Sequence, residues 1–223
     1  MKKLNNFTQF IQPMKEEQFY HIFNQGNDRI KIFRCEENKN YFARQLEKYI
    51  SPFADIVCKC LMNNHFHILL RVKPYEQMIP NIKKVKGLQK VIDRHKALEI
   101  RGEDSIVISE MLRRFFMSYS KAFNKMYNRT GSLFRKNFRR KLITSQEQLR
   151  TVLIYIHRNP VTHKMAKDFT SYKWSSYSNF IGGKIKNNFV KTVFEKIFGS
   201  TEEYIMAHIQ CTINEEDSFA MIE

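Results

Sequence analysis

The chain has 223 residues, 43% of them apolar, enough for one globular domain of ordinary size, or one domain with an appendage, around a sizeable core. Lys and Arg number 38 against 22 Asp and Glu, a formal charge of +16, and such an excess points to a polyanion partner, with nucleic acid the first candidate. No apolar run approaches the ~20 residues of a membrane-spanning helix; four cysteines without a C-x-x-C pair, and no secretory pattern at the lysine-bearing N-terminus, fit a reducing cytoplasm.

In chain order, "QFYHIFNQGNDRIKIF" alternates apolar and polar residues around Gly26-Asn27-Asp28 and reads as a strand, a turn and a second short strand or extended piece. From Glu36, Tyr41, Phe42, Leu46, Tyr49 and Ile50 recur at helical spacing. "DIVCKCLMNNHFHILLRV" then predicts two strands joined at Asn63-Asn64, a dipeptide suited to a tight antiparallel hairpin, with Cys58 and Cys60 as small core hydrophobes. Residues 73–104 are basic and weakly periodic, and are equally readable as an excursion or as a helix bounded by loops.

Between Ser109 and Asn128, Leu112, Phe115, Phe116, Tyr119, Phe123, Met126 and Tyr127 form one face of a long amphipathic helix, which Arg129-Thr130-Gly131 ends. "SLFRKNFRRKLI" follows as a β-like run. From Met111 to Gln146 there is no acidic residue and ten are Lys or Arg, a clustering that separates a binding face from a generic charged surface. Phe134 and Phe138 alternate there with cations, a composition suited to stacking bases while pairing phosphates. Ser145 and Gln148 open the next helix in a capping-box arrangement, and Pro160 is expected to close it. "YKWSSYSNFIGG" reads as a packed aromatic loop, and "VKTVFEKIFG" and "TEEYIMAHI" as a small C-terminal helical appendage. The simplest architecture is α+β, helices packed on an antiparallel sheet.

The chemistry concentrates in two places. His65 and His67 share one face of a strand, with Cβ atoms about 7 Å apart, so both imidazoles can converge on one ion. A catalytic cation needs a further protein ligand. In "YIHRNP", Tyr155 and Asn159 stand four apart on one helix face, although Pro160 disfavours helical geometry at Asn159. Two imidazoles, an amide oxygen and waters suit Mg²⁺ or Mn²⁺ better than a thiolate-rich zinc site. A phenol beside such a cation can attack a phosphodiester. Tyr119 is the rival nucleophile, but it lies in the apolar stripe and reads as core. His21 and His157 read as packed or hydrogen-bonded groups, and Arg158 as a phosphate contact.

"CLMNNHFHILLRV" resembles the histidine-hydrophobic-histidine motif of the HUH nucleases, and "YIHRNPV" followed by "WSSY" resembles the tyrosine helix of the IS200-like (Y1) transposases, above all the branch associated with repetitive extragenic palindromes. The likeness runs from "FYHIFNQG" through "FNKMYNRTGSLFRKNFRRK" to about Gly183. It implies a ferredoxin-like or RRM-like sheet with helices on one face and the histidine pair on a central strand. It further implies His65, His67 and Asn159 as metal ligands, with Tyr155 as the nucleophile that takes a 5′-phosphate and releases a 3′-hydroxyl beside a DNA hairpin.

Residues 1–183 are then the nuclease domain, with a basic excursion at about 76–104, and 184–223 a helical appendage. The DNA-contacting set is Arg129, Arg135, Lys136, Arg139, Arg140, Lys141, Arg158 and Phe134. Such an enzyme works in the bacterial cytoplasm at the nucleoid. Insertion-sequence members form helix-exchanged dimers while the palindrome-associated branch resembles a monomer, so both states stay open. Two other functional classes are a non-catalytic binder of structured single-stranded DNA or RNA on the same fold, and, last, a zinc hydrolase using H-x-H.

Overall fold

The computed structural model describes residues 13–97, 102–135 and 138–211. Four strands, β1 (Phe19–Gln25), β2 (Ala54–Leu61), β3 (His65–Val72) and β4 (Arg139–Ile143), form one antiparallel sheet in the order β2-β3-β1-β4. Helix α1 (Glu36–Ile50) carries the chain from β1 over β3 to β2, and α4 (Glu103–Met126) carries it from β3 to β4. These two split βαβ units interlock into a ferredoxin-like fold, and β3 is a central strand.

Side chains alternate across a strand, and the alternation divides this sheet. Phe66, Ile68, Leu70 and Val72 of β3, with Tyr20 and Ile22 of β1, pack with α1 and α4 in one core that includes Phe42, Leu46, Leu112 and Phe115. Removing each such side chain from water contributes roughly 1.5–3 kcal/mol. Leu69, Cys58, Cys60 and Ile143 face the other way, into a second core built with α5 (Gln146–Thr162), α6 (Tyr177–Ile181), α7 (Asn188–Phe198) and α8 (Thr201–Gln210). Helices therefore cover both faces of the sheet, not one. Burial pushes the Cys58 and Cys60 thiols up, as small core hydrophobes require.

The hairpin at Asn63-Asn64 forms, closed by the Met62 N–H on the His65 carbonyl at 2.9 Å. Its carbonyls are also used: Asn64 accepts from Gly26 N–H and Asn63 from Phe33 N–H, each at 2.9 Å. Residues 30–35 join no strand, with bends at 32, 34 and 35.

Several boundaries differ from the sequence expectation. The undecided stretch holds two short helices, α2 (Tyr75–Ile82) and α3 (Leu88–Lys96), packed beside α4. Pro80 inside α2 and the brevity of both blurred their periodicity. Helix α4 begins at Glu103, not near Ser109; Ser105, Ile106, Val107 and Ile108 are buried in succession, so the start of the helix shows no 3.6-residue alternation. The β-like run is a strand only over Arg139–Ile143, with Phe134 making a lone bridge to Gly26. Helix α5 passes Pro160 and ends at Thr162, two residues further than expected, so Asn159 lies in its last turn with helical residues on both sides. The aromatic loop contains α6.

Candidate active site

The site lies where the outer end of β3 meets α5. Ser145 caps α5 by accepting from Gln148 N–H at 3.1 Å, while the Gln148 side chain accepts from Thr144 N–H at 2.8 Å. Tyr155 and Asn159, one turn apart, both turn onto the sheet. Asn159 is fully buried and Tyr155 is 4% exposed.

His65, His67, Tyr155 and Asn159 are brought together. The His67 ring lies edge-on to His65, with centroids 5.2 Å apart, and edge-on to Tyr155 at 5.4 Å. Nε2 of His65 is 3.2 Å from Oδ1 of Asn159. Nδ1 of His65 is 2.7 Å from Oδ1 of Asn64. Both partners are carboxamide oxygens, which only accept, and a neutral imidazole carries one ring proton, so one of the two nitrogens meets its oxygen with a lone pair and no hydrogen to share. Nδ2 of Asn159 and Nε2 of His67 are buried without a hydrogen-bond partner. Burial drives the His65 imidazole down to about 4, with His163 adding to the fall, and holds His67 well below its ordinary range, again mainly by burial.

Neutral imidazoles with unshared lone pairs, facing an amide oxygen, are the donor set a divalent cation wants, and 3.2 Å is close to the roughly 3 Å between adjacent ligands around Mg²⁺. Among the described residues no group of three or more His, Cys, Asp or Glu has metal-holding geometry, so a cation here depends on the Asn159 amide.

Sequence reasoning placed His21 among packed groups and overlooked Asn64 and His163. His21 Nε2 is 2.9 Å from His67 Nδ1, and its ring stacks on Phe23 and His67. Burial, with Lys141 opposite, lowers it to about 3. His163, exposed at the end of α5, lies edge-on to His65 with centroids 4.9 Å apart. Asn64 adjoins His65 in sequence, whereas only strand order and helix phase bring His21 and His163 close, which no local pattern encodes.

The basic residues divide by face. Arg139 pairs with Phe23 and Lys141 with His21, on the histidine side; Arg140 pairs with Ile22 on the other, buried beside Phe138. Arg158 donates to the His208 carbonyl and lies over Phe169, engaged by α8 and not turned to the histidines. His157 is wholly buried against His208 and Ser176. Tyr119 is core, its hydroxyl donating to the Ile32 carbonyl at 2.6 Å. Arg129 is braced by Asn124. Lys136 lies outside the described residues. Beside α4, a groove of about 530 Å³ has Phe116, Phe134 and Phe138 in its wall with Arg113, Lys121 and Arg135. Phe134 is itself largely buried.

No helix among the described residues is long and apolar enough to cross a membrane. No protein-family profile and no curated protein matches the chain. Among solved structures it is similar to a REP-associated tyrosine transposase bound to a REP hairpin, with a TM-score of 0.52 over 84% of this chain and 89% of that one at 14% identity. At that identity the likeness is one of fold.

Proposed function

We propose that the protein is a metal-dependent tyrosine transposase of the IS200-like, palindrome-associated type, which binds hairpin-bearing single-stranded DNA and cuts and rejoins it through Tyr155. The observation that carries this reading is the convergence of His65, His67, Asn159 and Tyr155, from one strand and one helix, at a single buried point. A structural cluster would satisfy its polar atoms; here Nε2 of His67 and Nδ2 of Asn159 are buried without partners.

His65, His67 and Asn159 would hold Mg²⁺ or Mn²⁺, which when bound polarises the scissile phosphate. Tyr155 supplies the nucleophile: its phenolic oxygen forms a bond to phosphorus as the bond from phosphorus to the 3′-oxygen breaks. The phenolic proton and the proton that completes the 3′-hydroxyl balance through solvent. Arg139 and Lys141 share the histidine face and are suited to the phosphates of the strand that carries the scissile bond. The chemistry falls to residues 1–183, while α8 of the appendage braces α5.

The test incubates the protein with labelled hairpin DNA and Mn²⁺ and looks on a denaturing gel for label joined to protein, with Tyr155→Phe alongside. An adduct that the variant loses, with DNA binding retained, is expected. An adduct that persists would move the nucleophile elsewhere. Binding without any adduct would favour a non-catalytic binder on this fold.

A further inference from the structure

His21 belongs to no part of the chemistry described so far, yet it is fully buried and touches the site's innermost ligand. Its Nε2 and Nδ1 of His67 are 2.9 Å apart, and one of them carries the hydrogen between them. The atoms at the far ends of the pair, Nδ1 of His21 and Nε2 of His67, are both buried without partners.

Two neutral arrangements are possible. If His21 donates, His67 carries no proton on Nδ1 and its own proton goes to Nε2, where an N–H would point into the site and block a cation. If His67 donates from Nδ1, its Nε2 is a bare lone pair aimed at the site, and the unpaired N–H is moved to Nδ1 of His21, on the far side. Only the second makes His67 a ligand.

We infer that His21 is a positioning residue, accepting the Nδ1 proton of His67 and so fixing both the tautomer and the ring angle that turn Nε2 toward the cation. Phe23 assists by stacking on His21, with centroids 4.8 Å apart, and on His67 at 5.9 Å, which limits rotation of either ring. The inference rests on the metal reading above.

The experiment measures Mn²⁺ binding by calorimetry in the full chain, without DNA, for wild type, His21→Leu and His21→Gln. Leucine removes the acceptor; the glutamine oxygen can replace Nε2. His21→Leu should bind Mn²⁺ about 10–100-fold more weakly, and His21→Gln should recover most of that loss. A folded His21→Leu variant with wild-type affinity overturns the role of His21 and leaves the metal site intact. A wild type that binds no Mn²⁺ overturns both. Should the leucine variant fail to fold, nitrogen-15 spectra of the wild-type imidazoles with Mg²⁺ decide: a proton on Nδ1 of His67 is expected, and one on Nε2 overturns the inference.

Discussion

Nε2 of His65 lies 3.2 Å from Oδ1 of Asn159 and its Nδ1 2.7 Å from Oδ1 of Asn64, two acceptors for the one ring proton of a neutral imidazole. One of the two contacts therefore sets a lone pair against an oxygen, a repulsion that a cation between His65 and Asn159 would relieve.

The consequence is a trade between stability and metal binding at Asn159. Asn159→Leu should abolish Mn²⁺ binding while raising metal-free stability by about 1 kcal/mol, or about 2–4 °C in melting temperature. Asn159→Asp should tighten Mn²⁺ at least about tenfold by adding ligand charge. Calorimetry and thermal melts check both; a leucine variant that melts lower than wild type would mean the amide was satisfied after all.

Much of this site was readable from periodicity alone. Period two placed His65 and His67 on one face, and the spacing of four placed Tyr155 and Asn159 on another. The pairing of His21 with His67 was not readable, because it depends on β1 lying next to β3 across 46 positions of sequence. Nor was the division of the basic run, in which Arg139 and Lys141 face the histidines while Arg140 is buried behind the sheet; it needed the register with β1. Pro160 misled because a proline costs a helix one hydrogen bond, and packing of α5 on the sheet outweighs that loss.

Acid should loosen α8 from α5 before it touches the carboxylates. Nδ1 of His208 donates to the Tyr204 carbonyl at 2.8 Å, its Nε2 faces Nδ1 of His157 at 3.1 Å, and Nε2 of His157 lies 2.9 Å from the Ser176 hydroxyl. Both rings are buried, and Arg150 and Arg158 oppose a positive charge on His208. Burial lowers His208 to about 4 and His157 well below its ordinary value, so between pH 6.5 and about 4 the unfolded chain takes up protons that the folded one refuses. Stability is full above about pH 6.5 and falls as pH drops toward 4, by on the order of 3 kcal/mol from His208. His21 and His65 contribute with the same sign. Urea midpoints at pH 7.5, 6 and 5 should fall in that order, and less steeply in His208→Gln; a midpoint independent of pH over this window would refute the linkage.

Ser145 caps the first turn of α5, while packing of the helix on the sheet fixes where Tyr155 and Asn159 point. Ser145→Ala removes the acceptor for Gln148 N–H and should cost about 1 kcal/mol, read as a fall of about 2–4 °C in a thermal melt. Mn²⁺ affinity should change little, since ten residues of packed helix still fix the site. A melt unchanged within error would show that the Thr144–Gln148 contact suffices as a cap.

The alternation of β4 makes the basic run testable residue by residue. Arg139 and Lys141 share the face of the histidines, so each is positioned to neutralise a phosphate of a strand laid across the site. Arg139→Gln and Lys141→Gln should each weaken hairpin binding and reduce the slope of log affinity against log salt by about 1. Arg140→Gln should instead lower the melting temperature and leave the salt slope alone, because its side chain is buried with Phe138 on the far face. Fluorescence titrations of hairpin DNA from 50 to 200 mM salt, a range over which about one charge in the slope is resolvable, distinguish the three variants. A slope that fell for Arg140→Gln and not for its neighbours would put the DNA on the α4 side of the sheet and separate binding from the histidine site.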